Sequence, residues 1–351
     1  VFKAGSVVPA PAVARAGAFL QEQEPALPDE LALEQEPGGS LKRQVPMKIE
    51  AIYIACSKHD LRLTRILVAS IRFWYPQIPV YLVKDRFCGE FDTTEIERAW
   101  NVALLETERA RFGWGFAKLE PLFFQGDQKW QRCLVLDSDS VFAGPVLEVL
   151  ESCEGDFVVQ QENSSPEFVV SDYFDQALLQ QLDPAFVFPG FTFNTSQFVA
   201  TTGLLKREDF LPFVDWESSP PRVLNPEVFK KGEQGLLNYV LMKKAKQGAI
   251  TLEHLRFMHV PGCKDAPRVE IKHLQTQSPY RFLLHGCGRK RPRISALKLG
   301  AVLHHFERLY YGRVRFGGLK KWTRIGWNWA EETLRPLARK MRGQINGKKR
   351  A

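Results

Sequence analysis

From about residue 48 to residue 290 the apolar positions alternate between short continuous runs and helical stripes. Ile49-Glu50-Ala51-Ile52-Tyr53-Ile54-Ala55 has the length and character of a strand. Leu63, Ile66, Leu67, Ser70, Ile71 and Trp74 then repeat at the spacing of one helix face, which predicts a helix over 61–74. Tyr75-Pro76 ends it, because a residue before proline is driven out of the α region. Pro79-Val80-Tyr81-Leu82-Val83 is a second strand, completing a right-handed βαβ unit with parallel strands. A helix is expected from about Phe116 to Phe124, followed by Cys133-Leu134-Val135-Leu136, whose unbroken apolar run suits a parallel strand covered on both faces. Phe157 to Gln160 and Gln197 to Ala200 are further strands, with a loop-rich stretch between them through Pro189-Gly190. Residues 234–246 read as a helix, and Arg281 to His285 as the last strand. The alternation implies an α/β fold with a mixed, mostly parallel sheet flanked by helices.

Residues 1–46 are rich in Ala, Pro, Glu and Gln without periodicity, the composition of a disordered extension, so order is expected from Met47. The chain of 351 residues has 44% hydrophobic content, enough for one large domain with extensions. It contains no run of 18 apolar residues, so no membrane-spanning helix is expected. Pro9 and Pro11 interrupt the first twenty residues, which reads against a secretory signal. Of the six cysteines, Cys56, Cys133 and Cys287 sit in or beside apolar runs and none forms a C-x-x-C pair. Reduced thiols and a cytoplasmic location follow as expectations. The net charge of +8 is asymmetric: residues 289–351 carry 18 Lys and Arg against 3 Asp and Glu, leaving the rest at −7. Tyr310, Tyr311, Phe316, Trp322, Trp327 and Trp329 are interleaved with these cations. A basic, aromatic tail over 296–351 suits an anionic membrane surface, peripheral on its inner face. Nucleic acid is disfavoured as a partner because no nucleic-acid-binding motif accompanies the charge. A solvated basic helix accounts for the same charges.

The chemistry begins at Asp137-Ser138-Asp139, which follows the buried strand directly. Ligands of open α/β sheets gather beyond the C-terminal ends of strands, and paired carboxylates there can hold a divalent cation while phosphate oxygens complete its shell. A turn or helix cap would use the same residues. Gly115-Phe116-Ala117-Lys118-Leu119 places a lysine one element upstream, and Phe193-Asn194-Thr195-Ser196 offers small polar groups before a strand. Glu233-Gln234-Gly235-Leu236-Leu237-Asn238 opens a helix with a carboxylate at its positive end. His285-Gly286-Cys287-Gly288-Arg289-Lys290-Arg291-Pro292 supplies an imidazole, flexible backbone and cations. The rings of Tyr173, Phe174, Phe186, Phe188 and Phe191, within 162–193, form either an acceptor face or a satellite of the core.

Taken in order, these segments resemble the family 8 retaining GT-A glycosyltransferases, a group that includes glycogenin and the lipopolysaccharide galactosyl- and glucosyltransferases. That family reads K-L, D-x-D, F-N-S-G, D-Q-G-L-L-N and H-x-x-G-x-x-K-P-W; this chain has Lys118-Leu119, Asp137-Ser138-Asp139, Phe193 to Ser196, Glu233 to Asn238, and His285, Gly288, Arg291 and Pro292. Over residues 47–295 the resemblance implies a GT-A domain that transfers a hexose, with retention, from a UDP-sugar such as UDP-glucose or UDP-galactose to a glycan or glycolipid. It implies Asp137, Asp139 and His285 as ligands of Mn2+ or Mg2+. Lys118, Ser138, Asn194, Thr195, Gly288 and Arg291 would bind the donor, with Gln234 or Glu233 beneath the anomeric carbon. Ser196, Glu233 and Arg291 depart from the family pattern, and the loop Ala55 to Asp60 lacks the aromatic residue that commonly meets the base. An inverting GT-A transferase, or a non-catalytic scaffold with a membrane-binding tail, is the alternative. A sugar nucleotidyltransferase is disfavoured, because the first βα loop contains no glycine.

Overall fold

The computed structural model describes residues 47–113, 115–123, 130–162, 165–261, 263, 266–274, 278–286, 294, 299–327 and 330. The extension over 1–46, Gly288 and Arg291 lie outside these residues. The chain opens with β1 (Ala51–Ser57), α1 (Leu61–Trp74), β2 (Val80–Asp85), α2 (Thr94–Trp100) and β3 (Ala103–Leu104). A 3-10 turn over Phe116–Leu119 runs into α3 (Glu120–Phe123), followed by β4 (Arg132–Asp137), β5 (Ser140–Phe142), α4 (Leu147–Leu150) and β6 (Phe157–Glu162). Next come α5 (Pro166–Asp172), α6 (Gln176–Leu182), β7 (Thr192–Thr201) and the short hairpin of β8 (Val214–Asp215) and β9 (Arg222–Val223). The described chain continues through α7 (Glu233–Lys246), β10 (Leu252–His254), β11 (Met258–His259), α8 (Ile271–Leu274), β12 (Leu283–His285) and α9 (Gly300–Arg313).

Side chains alternate across the strands, so each strand feeds two apolar layers. Ile52 and Ile54 of β1 join Leu82, Leu134 and Leu136 in the layer under α1 and α9. Tyr53, Val83, Cys133 and Val135 face the opposite layer, with Phe116, Leu119, Leu236 and Leu237. The seven-stranded sheet has the order β10-β6-β7-β4-β1-β2-β3. β1 pairs in parallel with both β2 and β4, whereas the long β7 is antiparallel to its neighbours β4 and β6. The architecture is therefore mixed α/β with a mostly parallel central sheet flanked by helices.

Two stretches depart from the periodicity reading. The helix expected over 116–124 is a 3-10 turn and one α turn, entered through Gly115 at φ +78. The stretch expected as loop holds α5 and α6, whose N-caps Ser165 and Asp175 accept the backbone N–H of Phe168 and Leu178; caps of this kind stabilise short helices that carry little hydrophobic pattern.

The tail differs most from expectation. Val302, Leu303, Phe306, Tyr310 and Tyr311 of α9 are buried in the layer that α1 also covers. Tyr310 stacks on Trp100 at 5.5 Å and donates to Glu95 at 2.9 Å. Neither tyrosine is therefore presented outward. Helical turns follow over 317–327. There Arg324 grips both oxygens of Glu95 at 2.6 and 3.0 Å, Lys320 donates to the same carboxylate at 2.8 Å, and Lys321 pairs with buried Glu307 at 3.3 Å. Burial alone would raise the Glu95 carboxyl, but hydrogen bonds from Arg324, Lys320 and Tyr310 prevail and bring it down to about 2. Three basic residues of the tail are thus turned onto the protein. Among the described residues there, Phe316, Leu319, Trp322 and Trp327 are the large apolar side chains left exposed, at 66 to 73%, and Arg313 and Arg315 are exposed beside them. No helix among the described residues is long and apolar enough to cross a membrane. Cys56, Cys88, Cys133, Cys153 and Cys263 are free thiols.

Candidate active site

Strand β4 ends at Asp137, and the chain turns through Ser138 and Asp139 before β5 leaves the main sheet to pair antiparallel with β12. The register sets Ser140 opposite His285, one residue along the chain from Asp139. Gly286 N–H donates to the Asp139 carbonyl at 2.9 Å, and His285 Nε2 lies 3.0 Å from Asp139 Oδ1. A Cβ at residue 286 would come within 3.2 Å of the Asp139 carbonyl oxygen, so glycine there permits the close approach. One ligand atom from each of Asp137, Asp139 and His285 falls within 4.8 Å of the others. Two carboxylates and an imidazole are oxygen and nitrogen donors that suit a hard or borderline divalent cation.

Behind the carboxylates lies a buried ion cluster. Lys118 Nζ sits 3.2 Å from Asp137 Oδ1 and 2.9 Å from Glu233 Oε1, with the lysine and the glutamate almost fully enclosed. Burial pushes the Asp137 and Glu233 carboxyls up while Lys118 pulls them down. Burial would lower Lys118, but the two carboxylates outweigh it and hold the ammonium above its ordinary range. Asp137, Asp139 and Glu233 number one more acid than Lys118 and His285 can balance even with the imidazole protonated, so a divalent cation fits the charge of the donor set as well as its geometry.

Glu233 opens α7, where the helix dipole favours an anion. Its Oε1 accepts from Thr195 Oγ1 at 3.4 Å, and its Oε2 is buried without a hydrogen-bond partner among the described residues. A Cβ at residue 115 would fall 1.8 Å from that oxygen. Gly115 is therefore required twice, by its positive φ and by the carboxylate packed against its Cα.

Of the other residues singled out in the sequence, Ser138 is buried and its side chain hydrogen-bonds Asp60. Asn194 is held within the protein, its Oδ1 accepting Ser196 N–H at 2.7 Å and its Nδ2 donating to Glu162 at 2.7 Å. Thr195 is fully buried. Gln234 donates from its amide to the Asp172 carbonyl at 3.1 Å. Among the rings considered for an acceptor face, Tyr173, Phe174 and Phe186 are core residues, while Phe188 and Phe191 are only partly buried.

Asp60 was not legible as a site residue. It lines the same cleft of ≈ 240 Å³ as Lys118, Asp137, Ser138, Asp139 and Glu233. Its Oδ1 accepts the N–H and hydroxyl of Ser57 at 2.7 and 3.0 Å, and burial pushes its carboxyl up to about 6 against those bonds. Asp60 precedes α1 in the sequence like an ordinary N-cap, a pattern that hides its place in the cleft.

No family model and no curated protein matches the chain. Solved structures that align with it include the bifunctional glycosyltransferase WbbM without ligand, at 12% identity and a TM-score of 0.49 over 76% of this chain and 52% of that one. The galactosyltransferase LgtC, in complex with donor and acceptor sugar analogues, aligns at 13% identity and TM-score 0.47 over 75% of this chain and 96% of that one. GlyE, a glycosyltransferase of Streptococcus pneumoniae TIGR4, aligns at 14% and 0.45 over 80% and 64%. The chain thus spans about half of WbbM. At these identities and TM-scores the functional reading rests on the site's own geometry.

The packing of Gly115 against Glu233 makes a two-residue prediction. Gly115→Ala should destabilise the fold by about 2–4 kcal/mol, as a clash at a buried ion pair does, and adding Glu233→Asp, one methylene shorter, should recover part of the loss. Urea unfolding of the single and double variants reads this directly. A Gly115→Ala protein as stable as wild type would show that the carboxylate does not occupy that position.

Proposed function

We propose that the protein is a metal-dependent GT-A glycosyltransferase that moves a hexose, with retention, from a UDP-sugar such as UDP-glucose or UDP-galactose to a hydroxyl of a glycan or glycolipid. The observation that carries this reading is the meeting of Asp137, Asp139 and His285 beyond the end of β4, with the two aspartates lining one cleft with Lys118 and Glu233. Mn2+ or Mg2+ held by these three residues would stabilise negative charge on a departing nucleoside diphosphate. Burial raises the Asp137 carboxyl, and Lys118 opposes that shift without cancelling it. Its ammonium also adds positive potential beside the diphosphate. Gly288 and Arg291, outside the described residues, are assigned to the phosphates as close-approaching backbone and as a cation.

Retention is assigned to front-face attack. Glu233 is enclosed against Lys118, Thr195 and Gly115, and Gln234 is tied through its amide N–H to the Asp172 carbonyl; neither is taken as a nucleophile. The bond from the anomeric carbon to the phosphate oxygen breaks, the acceptor oxygen bonds to the same face, and the acceptor proton passes to the leaving phosphate.

The exposed face of Phe316, Leu319, Trp322 and Trp327 is assigned to an anionic membrane surface, where indole rings lodge at headgroup depth. The same reading takes the protein as a cytoplasmic, peripheral enzyme near glycolipid acceptors. Wild-type protein should sediment with phosphatidylglycerol vesicles, and Trp322→Ala with Trp327→Ala should reduce the bound fraction several-fold; equal sedimentation of both would remove the membrane assignment.

Catalysis is tested by incubating the protein with Mn2+ and a panel of nucleotide sugars and measuring nucleoside diphosphate release. The expected result is hydrolysis of at least one UDP-hexose, lost on chelation and reduced at least about a hundredfold in Asp139→Asn. Near-normal turnover of Asp139→Asn in chelator-treated buffer would refute the metal role, and no release from any donor would favour a non-catalytic scaffold.

A further inference from the structure

The loop after β1 carries no aromatic residue from Ala55 to Asp60, yet a ring reaches the cleft from the next strand. Phe87, two residues beyond β2, lines the cleft together with Ala55, Cys56, Ser57, Asp60, Asp137 and Asp139. It is 54% exposed, whereas the neighbouring apolar residues Leu82 and Val83 are buried. Scattered exposed rings are ordinary on protein surfaces. An exposed ring at the rim of a cleft that also holds the proposed metal ligands is a different case.

The backbone holds this ring in place. Asp85 Oδ1 accepts the N–H groups of Phe87 and Phe112, both at 2.9 Å, tying the loop to the segment that leads to Gly115. Arg86 N–H donates to the Ala110 carbonyl at 2.8 Å and Gly89 N–H to the Arg86 carbonyl at 3.0 Å. Gly89 turns the chain back at φ +100. A loop held by these four hydrogen bonds has little backbone entropy left to lose when a ligand packs against its side chain.

We infer that Phe87 is the stacking platform for the nucleobase of the donor, a base subsite built from the loop after β2. This rests on the nucleotide-sugar reading above. With the diphosphate at Asp137 and Asp139, the nucleoside extends along the cleft toward the ends of β1 and β2, where the lining residues on both strands are Ala55, Cys56, Ser57 and Asp85 and Phe87 supplies the one aromatic face among the described lining residues. A flat apolar ring offers every base a π-face, and such stacking is sequence-tolerant. Base choice then falls to polar groups at the base edge, and Phe87 sets affinity.

The test titrates wild type, Phe87→Ala and Phe87→Trp with UDP and, separately, with inorganic pyrophosphate, each with Mn2+, by calorimetry. The expected result is UDP binding weakened about 10- to 100-fold in Phe87→Ala, the range of a lost base–aromatic stack. Pyrophosphate binding should be unchanged in that variant, and Phe87→Trp should hold UDP as well as wild type. Unaltered UDP binding by Phe87→Ala overturns the inference and leaves the nucleotide-sugar reading intact. So does an equal loss for UDP and pyrophosphate, which would mark a collapsed cleft, or equal wild-type affinity for the two. Wild-type protein that binds neither ligand overturns both.

Discussion

A single enclosed ammonium, Lys118 Nζ, lies between two carboxylates that come from different parts of the chain, Asp137 at the end of β4 and Glu233 at the start of α7. Removing one partner from such a cluster leaves an uncompensated buried charge, a loss on the order of 3–5 kcal/mol. The cluster therefore fixes how the 3-10 turn, the central strand and α7 meet. It also explains local details that propensity does not. Gly115 has no Cβ because Glu233 Oε2 stands where one would be, and Thr195 on β7 directs its hydroxyl at the same glutamate.

The second constraint is the pairing of β5 with β12. Because β5 leaves the main sheet after a two-residue turn, the acidic doublet sits where the sheets diverge, and the antiparallel register brings His285 from 146 residues away to Asp139. Backbone hydrogen bonds thus position all three candidate ligands before any ion binds. Such preorganisation is what a charged transition state requires of its surroundings.

Much of this frame was legible in the sequence. The strand, helix and strand over 49–83 follow from periodicity, and the structure places them at Ala51–Ser57, Leu61–Trp74 and Val80–Asp85. The doublet and His285 were legible as chemistry, and the fold brings them together. The partners of Lys118 were not legible, since its contacts at 137 and 233 lie far along the chain and a lone lysine carries no signal of burial. Asn194 and Thr195 were legible as small polar groups, but not their partners Glu162 and Glu233, which lie at other places along the chain. In the tail, a count of cations does not reveal that Glu95 and Glu307 turn Lys320, Lys321 and Arg324 inward while Trp322 and Trp327 stay exposed.

A divalent cation would complete the group of Asp137, Asp139 and His285. In the metal-free protein, burial raises the carboxyls of Asp137, Glu233 and Asp60, so the folded state holds their protons more tightly than the unfolded state. That contribution to stability is present at mildly acidic pH and lost as pH rises through the folded-state values, about 6 for Asp60. The most direct measurement is the thermal midpoint of chelator-stripped protein from pH 5 to 8, with and without Mn2+. Mn2+ should raise the midpoint most at pH 8 and leave a variant combining Asp137→Asn, Asp139→Asn and His285→Gln unmoved. A midpoint indifferent to Mn2+ at every pH, or equal stabilisation of that variant, would contradict it.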